Sequence, residues 1–140
     1  MKAWIRYRFP DPSGLFSGMV LRAYVGKLCV HELAVELTAE ALKLARTFRG
    51  PGARARGDQL VAAALSICSN IAEACGRGTV PEFRRFLLYA RGSAQETISQ
   101  LRVAAQTDPT HRDTIRSLEG RAILISKMIG RLHAHPPPDR

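Results

Sequence analysis

Apolar residues recur every three or four positions along most of the chain, a spacing that puts them on one face of an α-helix. The clearest segment is 58–77, whose apolar face is formed by Leu60, Ala64, Ile67 and Ile71. Comparable patterns predict three more helices, at about 30–48, 79–107 and 109–132. Four amphipathic helices with short connections predict an all-α, up-down-up-down antiparallel four-helix bundle.

Capping residues predict where these helices begin and end. Gly50-Pro51-Gly52 is expected to end the first helix, because glycine terminates helices and proline cannot continue them. Asp58 is the expected N-cap of the second helix. Thr79 and Glu82 form a capping-box pattern at the start of the third. Asp108, followed by a proline, is the expected N-cap of the fourth.

The pattern predicts a bundle domain at 27–134, an N-terminal arm at 1–26 and a disordered tail at 135–140. The arm holds a large share of the aromatic residues, and Ile5–Phe9 alternates apolar and charged residues like a short strand. Aromatic and basic residues interleaved in this way could bind nucleic acid. An ordinary arm that packs on the domain, or an upstream extension with Met19 as the true start, explains the segment equally simply.

The chain is strongly basic, with 21 Lys and Arg against 12 Asp and Glu and a formal net charge of +9. Such an excess favours a polyanionic partner, nucleic acid first and an anionic membrane second. A soluble basic protein without such a partner is the alternative. The candidate phosphate contacts are a dense cluster around the first connection and three residues of the third helix: Lys43, Arg46, Arg49, Arg54, Arg56, Arg84, Arg85 and Arg91. The cluster is also consistent with a solvated loop.

A polar stripe follows the core face of the second helix at the same helical spacing. Its members are Ser66, Asn70, Glu73 and Arg77. We interpret the stripe as a half-buried structural network in which an arginine neutralises the glutamate. A catalytic site would need a histidine or second carboxylate in register, and the pattern supplies neither. The sequence therefore predicts no catalytic residues and no cofactor.

The cysteines are Cys29, Cys68 and Cys75, an odd number without a CxxC motif. This favours reduced, buried thiols and a cytoplasmic protein. His133 and His135 lack further ligands on a rigid scaffold, so no metal site is predicted. Charged residues interrupt the N-terminal segment and the other apolar runs, so neither a signal peptide nor a membrane span is expected.

The central motif resembles a known family. Gln59, the segment Ser66–Glu73 and the pair Gly76-Arg77 are similar to the signature of the four-helix-bundle proteins encoded by 23S rRNA intervening sequences. Glu82–Leu87 and Ala90–Glu96 continue the likeness, which covers roughly 28–132.

That family is similar in fold to the accessory variability determinant proteins of diversity-generating retroelements, basic homopentameric barrels that bind nucleic acid and a reverse transcriptase. The resemblance implies a non-enzymatic accessory protein that binds RNA or DNA and forms a homo-oligomer, with a pentamer as the expected assembly and a reverse transcriptase as a candidate partner. A homo-oligomeric module that docks an acidic protein is the alternative. Small residues at Ala90–Ala94 and the apolar Val61, where the family often has a basic residue, favour a subunit contact.

Overall fold

In a computed structural model, residues 28–136 are described, and they form four α-helices without a strand. The helices are α1 (Cys29–Ala45), α2 (Ala53–Gly76), α3 (Val80–Thr107) and α4 (Arg112–Ala134), and a 3-10 turn (Pro109–His111) precedes α4. The all-α four-helix fold is therefore confirmed. The expected arm at 1–26 and the last residues of the expected tail lie outside the described residues.

The helices form a ring in which neighbours along the chain pack together. α2 contacts α1 and α3, while α4 contacts α3 and closes the ring on α1. Two hydrogen bonds show that neighbouring helices are antiparallel. Arg56 at the start of α2 binds Thr107 at the end of α3. Arg84 at the start of α3 binds His133 at the end of α4. We call the end with the α1–α2 and α3–α4 connections the upper end, and the end with the α2–α3 turn the lower end.

The core consists of the apolar faces that the spacing predicts. Leu60, Ala64, Ile67 and Ile71 of α2 are completely buried, and each of the other helices contributes a comparable row of aliphatic residues. α1 and α2 come closest near Gly57, where an added Cβ would lie 3.4 Å from the Cβ of Ala45.

Three helix boundaries differ from the predicted ones. α1 ends at Ala45, and Phe48 is buried from the connection instead. α2 begins at Ala53, because Gly52 adopts a left-handed conformation (φ 71°) and the alanines and arginines that follow are strong helix formers. Asp58 is therefore an exposed residue inside α2 and not its N-cap.

The predicted caps of α3 and α4 have different outcomes. Thr79 is the N-cap of α3 and accepts a hydrogen bond from the Glu82 amide at 3.4 Å. The Glu82 carboxylate pairs with Arg85. Asp108 binds the His111 ring at 2.8 Å and precedes the 3-10 turn, which delays the start of α4.

Candidate nucleic-acid interface

The basic cluster of the first connection lies at the upper end of the bundle. Its residues are the end of α1, the connection itself and the first turn of α2, so Arg54 and Arg56 are helical and not part of a loop. Lys43 forms an ion pair with Glu40 at 2.8 Å, and the Arg49 Nη1 donates to the carbonyls of Arg46 and Phe48 at 3.1 and 3.0 Å. These two cations therefore stabilise the end of α1.

Arg56 holds the upper end together. Its Nη2 donates to the Arg49 carbonyl at 3.0 Å, and its Nη1 donates to the Thr107 hydroxyl at 3.1 Å. Its guanidinium also stacks on the Phe48 ring, 5.1 Å from the centroid. Because these contacts tie the first connection to the end of α3, the structure gives Arg56 a structural position within the candidate set.

The side chains of Arg46 and Arg54 have no ion-pair or hydrogen-bond partner within the described range, and both residues are exposed. They line a shallow groove of about 410 Å³ between α1 and α2, together with Leu42, Val61 and Leu65. Asp58 is the acidic residue in the lining. We call the part of the groove lined by the two arginines its mouth and the part lined by Leu42, Val61 and Leu65 its floor. The groove thus combines a cationic mouth with an apolar floor.

The three candidate residues of α3 do not join this cluster. Arg84 and Arg85 lie at the lower end, and the 24 residues of α2 separate the two ends by about 35 Å. The Arg84 Nε donates to the His133 carbonyl at 3.0 Å, whereas Arg85 pairs with Glu82 at 3.3 Å. Arg91 is exposed on α3, and no ion pair within the described residues involves it. The predicted interface is therefore two separate basic regions.

Most of the described positive charge lacks a carboxylate partner. In the described part of the chain, four Lys or Arg residues pair with a carboxylate: Lys43, Arg77, Arg85 and Arg102. Exposed pairs of this kind contribute little to stability. The rest of the described arginines therefore leave a positive potential at the surface.

The polar stripe of α2 divides into two parts. The Asn70 side-chain amide donates to the Ser66 carbonyl at 2.9 Å and to its hydroxyl at 3.1 Å, and the Ser93 hydroxyl of α3 donates to the Ser66 hydroxyl at 2.8 Å. Glu73 and Arg77 pair at 2.7 Å but are both exposed. The predicted neutralisation of Glu73 by an arginine is therefore present, although the pair lies at the exposed edge of the stripe, where Arg77 also stacks on Phe86 of α3.

An aromatic cluster at the lower end was missed in the sequence. The rings of Phe86 and Tyr89 are perpendicular, with centroids 5.4 Å apart. The guanidinium groups of Arg77 and Arg85 lie over the Phe86 ring, at 4.6 and 5.1 Å from its centroid. The signal was present as Arg85, Phe86 and Tyr89 at helical spacing, but Phe86 was assigned only to the core.

The model of the 23S rRNA-intervening sequence protein family matches residues 26–131. The chain belongs to this family. A similar solved structure is a protein of unknown function from the S23 ribosomal protein family of Bacteroides thetaiotaomicron, with 20 % identity and a TM-score of 0.66. The match covers 74 % of this chain and 97 % of that one, and it supports the fold alone. A search of curated proteins finds no match.

In this family member, α2 is apolar on more than its core face. It is the helix, among those described, whose length and composition would suffice to cross a membrane, yet only 33 % of its most apolar window is buried. Its core residues explain part of this character. Outside the core, Leu65 of α2 is 49 % exposed, and Val35 and Leu42 of the neighbouring α1 are 48 % and 41 % exposed. A bundle helix with a second apolar face accounts for the composition without a bilayer.

The described residues bring together no group of three metal-ligating side chains. Burial raises the pKa of Cys75 to about 12 and also raises the pKa of Cys68, whose sulfur lies 3.5 Å from the Thr38 hydroxyl. Such thiols are poor nucleophiles. Neither the matched family nor the structural neighbour indicates an enzyme.

Proposed function

We propose that this protein is a non-enzymatic accessory protein that binds RNA or DNA through its phosphates. The observation that carries the proposal is the pair of exposed, unpartnered arginines, Arg46 and Arg54, at the mouth of the α1–α2 groove. Its family membership, named for a 23S rRNA intervening sequence, agrees with an RNA-related role.

The start of α2 adds a second reason to expect an anion at this mouth. The first turn of α2 contains Arg54 and no acidic residue, and no side chain caps it. A cation in this position is unfavourable, because the N-terminal end of a helix carries a partial positive charge. A phosphate group bound there would interact favourably with both the guanidinium and the helix end.

The test is binding of RNA and DNA by the full chain at several salt concentrations. We expect log K to fall with log salt by about 0.7–0.9 for each phosphate contacted. Replacing both Arg46 and Arg54 by glutamine should therefore weaken binding and reduce the slope by about 1.4–1.8.

A control on another helix is Arg121→Gln, which removes one positive charge. Arg121 is exposed on α4 near Glu40, whose pKa is lowered mainly by the Lys43 hydrogen bond and slightly by the Arg121 charge. This variant should bind almost as the wild type does. Binding that does not respond to salt, or no binding at low salt, would reject the proposal.

A second candidate function is a homo-oligomeric protein-interaction module, pentameric by resemblance, and the exposed apolar face of α1 and α2 favours it. An acidic protein, or a reverse transcriptase of a diversity-generating retroelement, would be its partner. Co-purification that persists after nuclease digestion separates this candidate from association through nucleic acid, whereas loss of the partner on digestion would leave only the first proposal.

A further inference from the structure

We infer that the aromatic cluster at the lower end, formed by Phe86, Tyr89, Arg77 and Arg85, is a stacking platform for an unpaired base of single-stranded nucleic acid. The inference rests on the proposed function and adds to it a second contact region, about 35 Å from the α1–α2 groove, and a preference for unpaired strands. We call this cluster the platform.

The platform is held in place by its own ion pairs. Arg77 is fixed by Glu73 at 2.7 Å and Arg85 by Glu82 at 3.3 Å, while both guanidinium groups lie over the Phe86 ring. Cations near an aromatic ring are attracted to its π-electrons. These contacts fix the Phe86 ring, which in turn supports Tyr89.

Tyr89 is the open part of the platform. Its side chain is 51 % exposed, and its hydroxyl makes no hydrogen bond within the described residues. The next residue on the same helical face is Gly92, where an added Cβ would meet nothing within 4 Å. No other described residue covers the surface at Gly92, and a flat base has room to lie there against the tyrosine ring.

The other exposed arginines of this part of α3 lie on different faces of the helix. Arg84 and Arg91 are about 140–200° around the helix axis from Tyr89, because steps of five and two residues turn a side chain that far. Arg84 also donates its Nε to the His133 carbonyl. The contact with a base at the platform is therefore made by the aromatic surface itself.

The platform favours a single strand over a duplex, because the faces of paired bases are already stacked on each other. The carboxylates of Glu73 and Glu82 neutralise the two inner arginines, so the centre of the platform has little net charge. A stacked base needs an aromatic surface there more than it needs a cation.

The experiment compares a single-stranded RNA of about twelve nucleotides, within the usual site size, with the same sequence paired to its complement. Tyr89→Ala in the full chain should weaken binding of the single strand about 5- to 150-fold, the range for loss of one aromatic stack. The slope of log K against log salt should not change, because no charge is removed. Duplex binding should also not change.

Two further variants separate stacking from folding. Tyr89→Phe keeps the ring and should bind within about twofold of the wild type. Gly92→Leu introduces a side chain into open space without backbone strain and should reproduce the loss by covering the ring. The matched control is Leu124→Ala, since Leu124 is 50 % exposed on α4, and it should bind normally.

Several outcomes would overturn the inference. Wild-type affinity in Tyr89→Ala, or equal losses for single strand and duplex, would exclude base stacking. If Tyr89→Ala keeps its RNA affinity but loses self-association, the platform is a contact between protein copies instead. If the wild type binds no nucleic acid at low salt, the proposed function fails together with this inference. If the wild type binds in a salt-dependent way and Tyr89→Ala binds equally well, only the inference is contradicted.

Discussion

Neighbouring arginines of one helix have different roles on this bundle. Arg54 and Arg56 are two residues apart in α2, but the first extends into the groove mouth and the second bonds to the Arg49 carbonyl and the Thr107 hydroxyl. The difference follows from helix geometry, since a step of two residues turns the side chain by about 200°. We therefore assign phosphate contact to Arg54 and cohesion of the upper end to Arg56.

Cys75 should react much more slowly than an ordinary thiol while the protein is folded. Burial raises its pKa to about 12, and the thiolate is the species that alkylates. At pH 8 the thiolate fraction is then about 1000-fold lower than for a cysteine with its ordinary pKa of about 8.5–9. Iodoacetamide labelling of the folded protein, followed by peptide mass spectrometry, should detect little modification of Cys75. The labelling time is one that modifies the unfolded chain completely.

Raising the pH toward 12 should restore labelling, because the thiolate then forms, and unfolding in guanidinium at pH 8 serves as the positive control. Rapid labelling of native Cys75 at pH 8 would show that the lower half of α2 opens readily. It would also contradict the packing described for that half.

Single residues in the candidate site could be predicted only in part. The positions of Ser66 and Asn70 beside the core follow from the helical spacing, and their hydrogen bonds agree with the predicted structural role. The exposure of Glu73 could not be derived, because it depends on how much of that face the neighbouring helices cover. Sequence spacing gives the face of one helix but not the position of the next.

Among the helices, α2 differs most from its predicted extent. The prediction treated Asp58 as a cap, since aspartate is common there, while the left-handed Gly52 already allowed α2 to begin at Ala53. The earlier start moved two arginines from a loop into a helix. Two capping rules predict different starts for α2. The conformation of Gly52 and the helix propensity of the residues after it place the start at Ala53 and not after Asp58.

Glycine substitutions within and between the helices should have opposite effects on stability. Gly92→Ala should raise the free energy of unfolding by about 0.5–1 kcal/mol, because Gly92 is helical and the added methyl group meets nothing. Gly78→Ala should lower it by about 1–2 kcal/mol, because Gly78 has a φ of +81° in the α2–α3 turn.

Urea denaturation of both variants and the wild type measures these changes. The positions make a matched pair, since neither has a neighbour within 4 Å of the added methyl group, so backbone conformation alone separates them. A destabilised Gly92→Ala would mean that a neighbouring molecule approaches this residue, since no other element among residues 28–136 does so. Ala90 and Ala94 of the predicted small-residue contact are buried in the core of the bundle and are not available to a second copy.

At the scale of the whole molecule, charge and apolar surface meet on the α1–α2 side. The groove has Arg46 and Arg54 at its upper mouth and Leu42, Val61 and Leu65 along its floor. Copies that packed through the floor would bring their upper arginines close together. Several weak phosphate sites would then act on one nucleic acid, which increases the overall affinity without any new contact in each copy.

Phosphate binding by the arginines and apolar packing between copies should respond differently to salt. Phosphate contacts weaken as salt rises, whereas apolar contacts between copies do not. An assembly held by the groove floor should therefore persist in the same high-salt buffer that releases the nucleic acid. This difference allows self-association to be measured without bound nucleic acid.

The last prediction is that the wild type self-associates through this floor. Light scattering at micromolar concentration and high salt should give a multiple of the 15.4 kDa chain mass. Leu65→Asp should reduce the measured mass to that of a single chain, because burying an unpaired carboxylate in an apolar contact is strongly unfavourable. Leu124→Asp is the matched control, since Leu124 is 50 % exposed and Leu65 49 %. A wild-type mass of one chain would reject the interface, and equal effects of the two substitutions would locate it elsewhere.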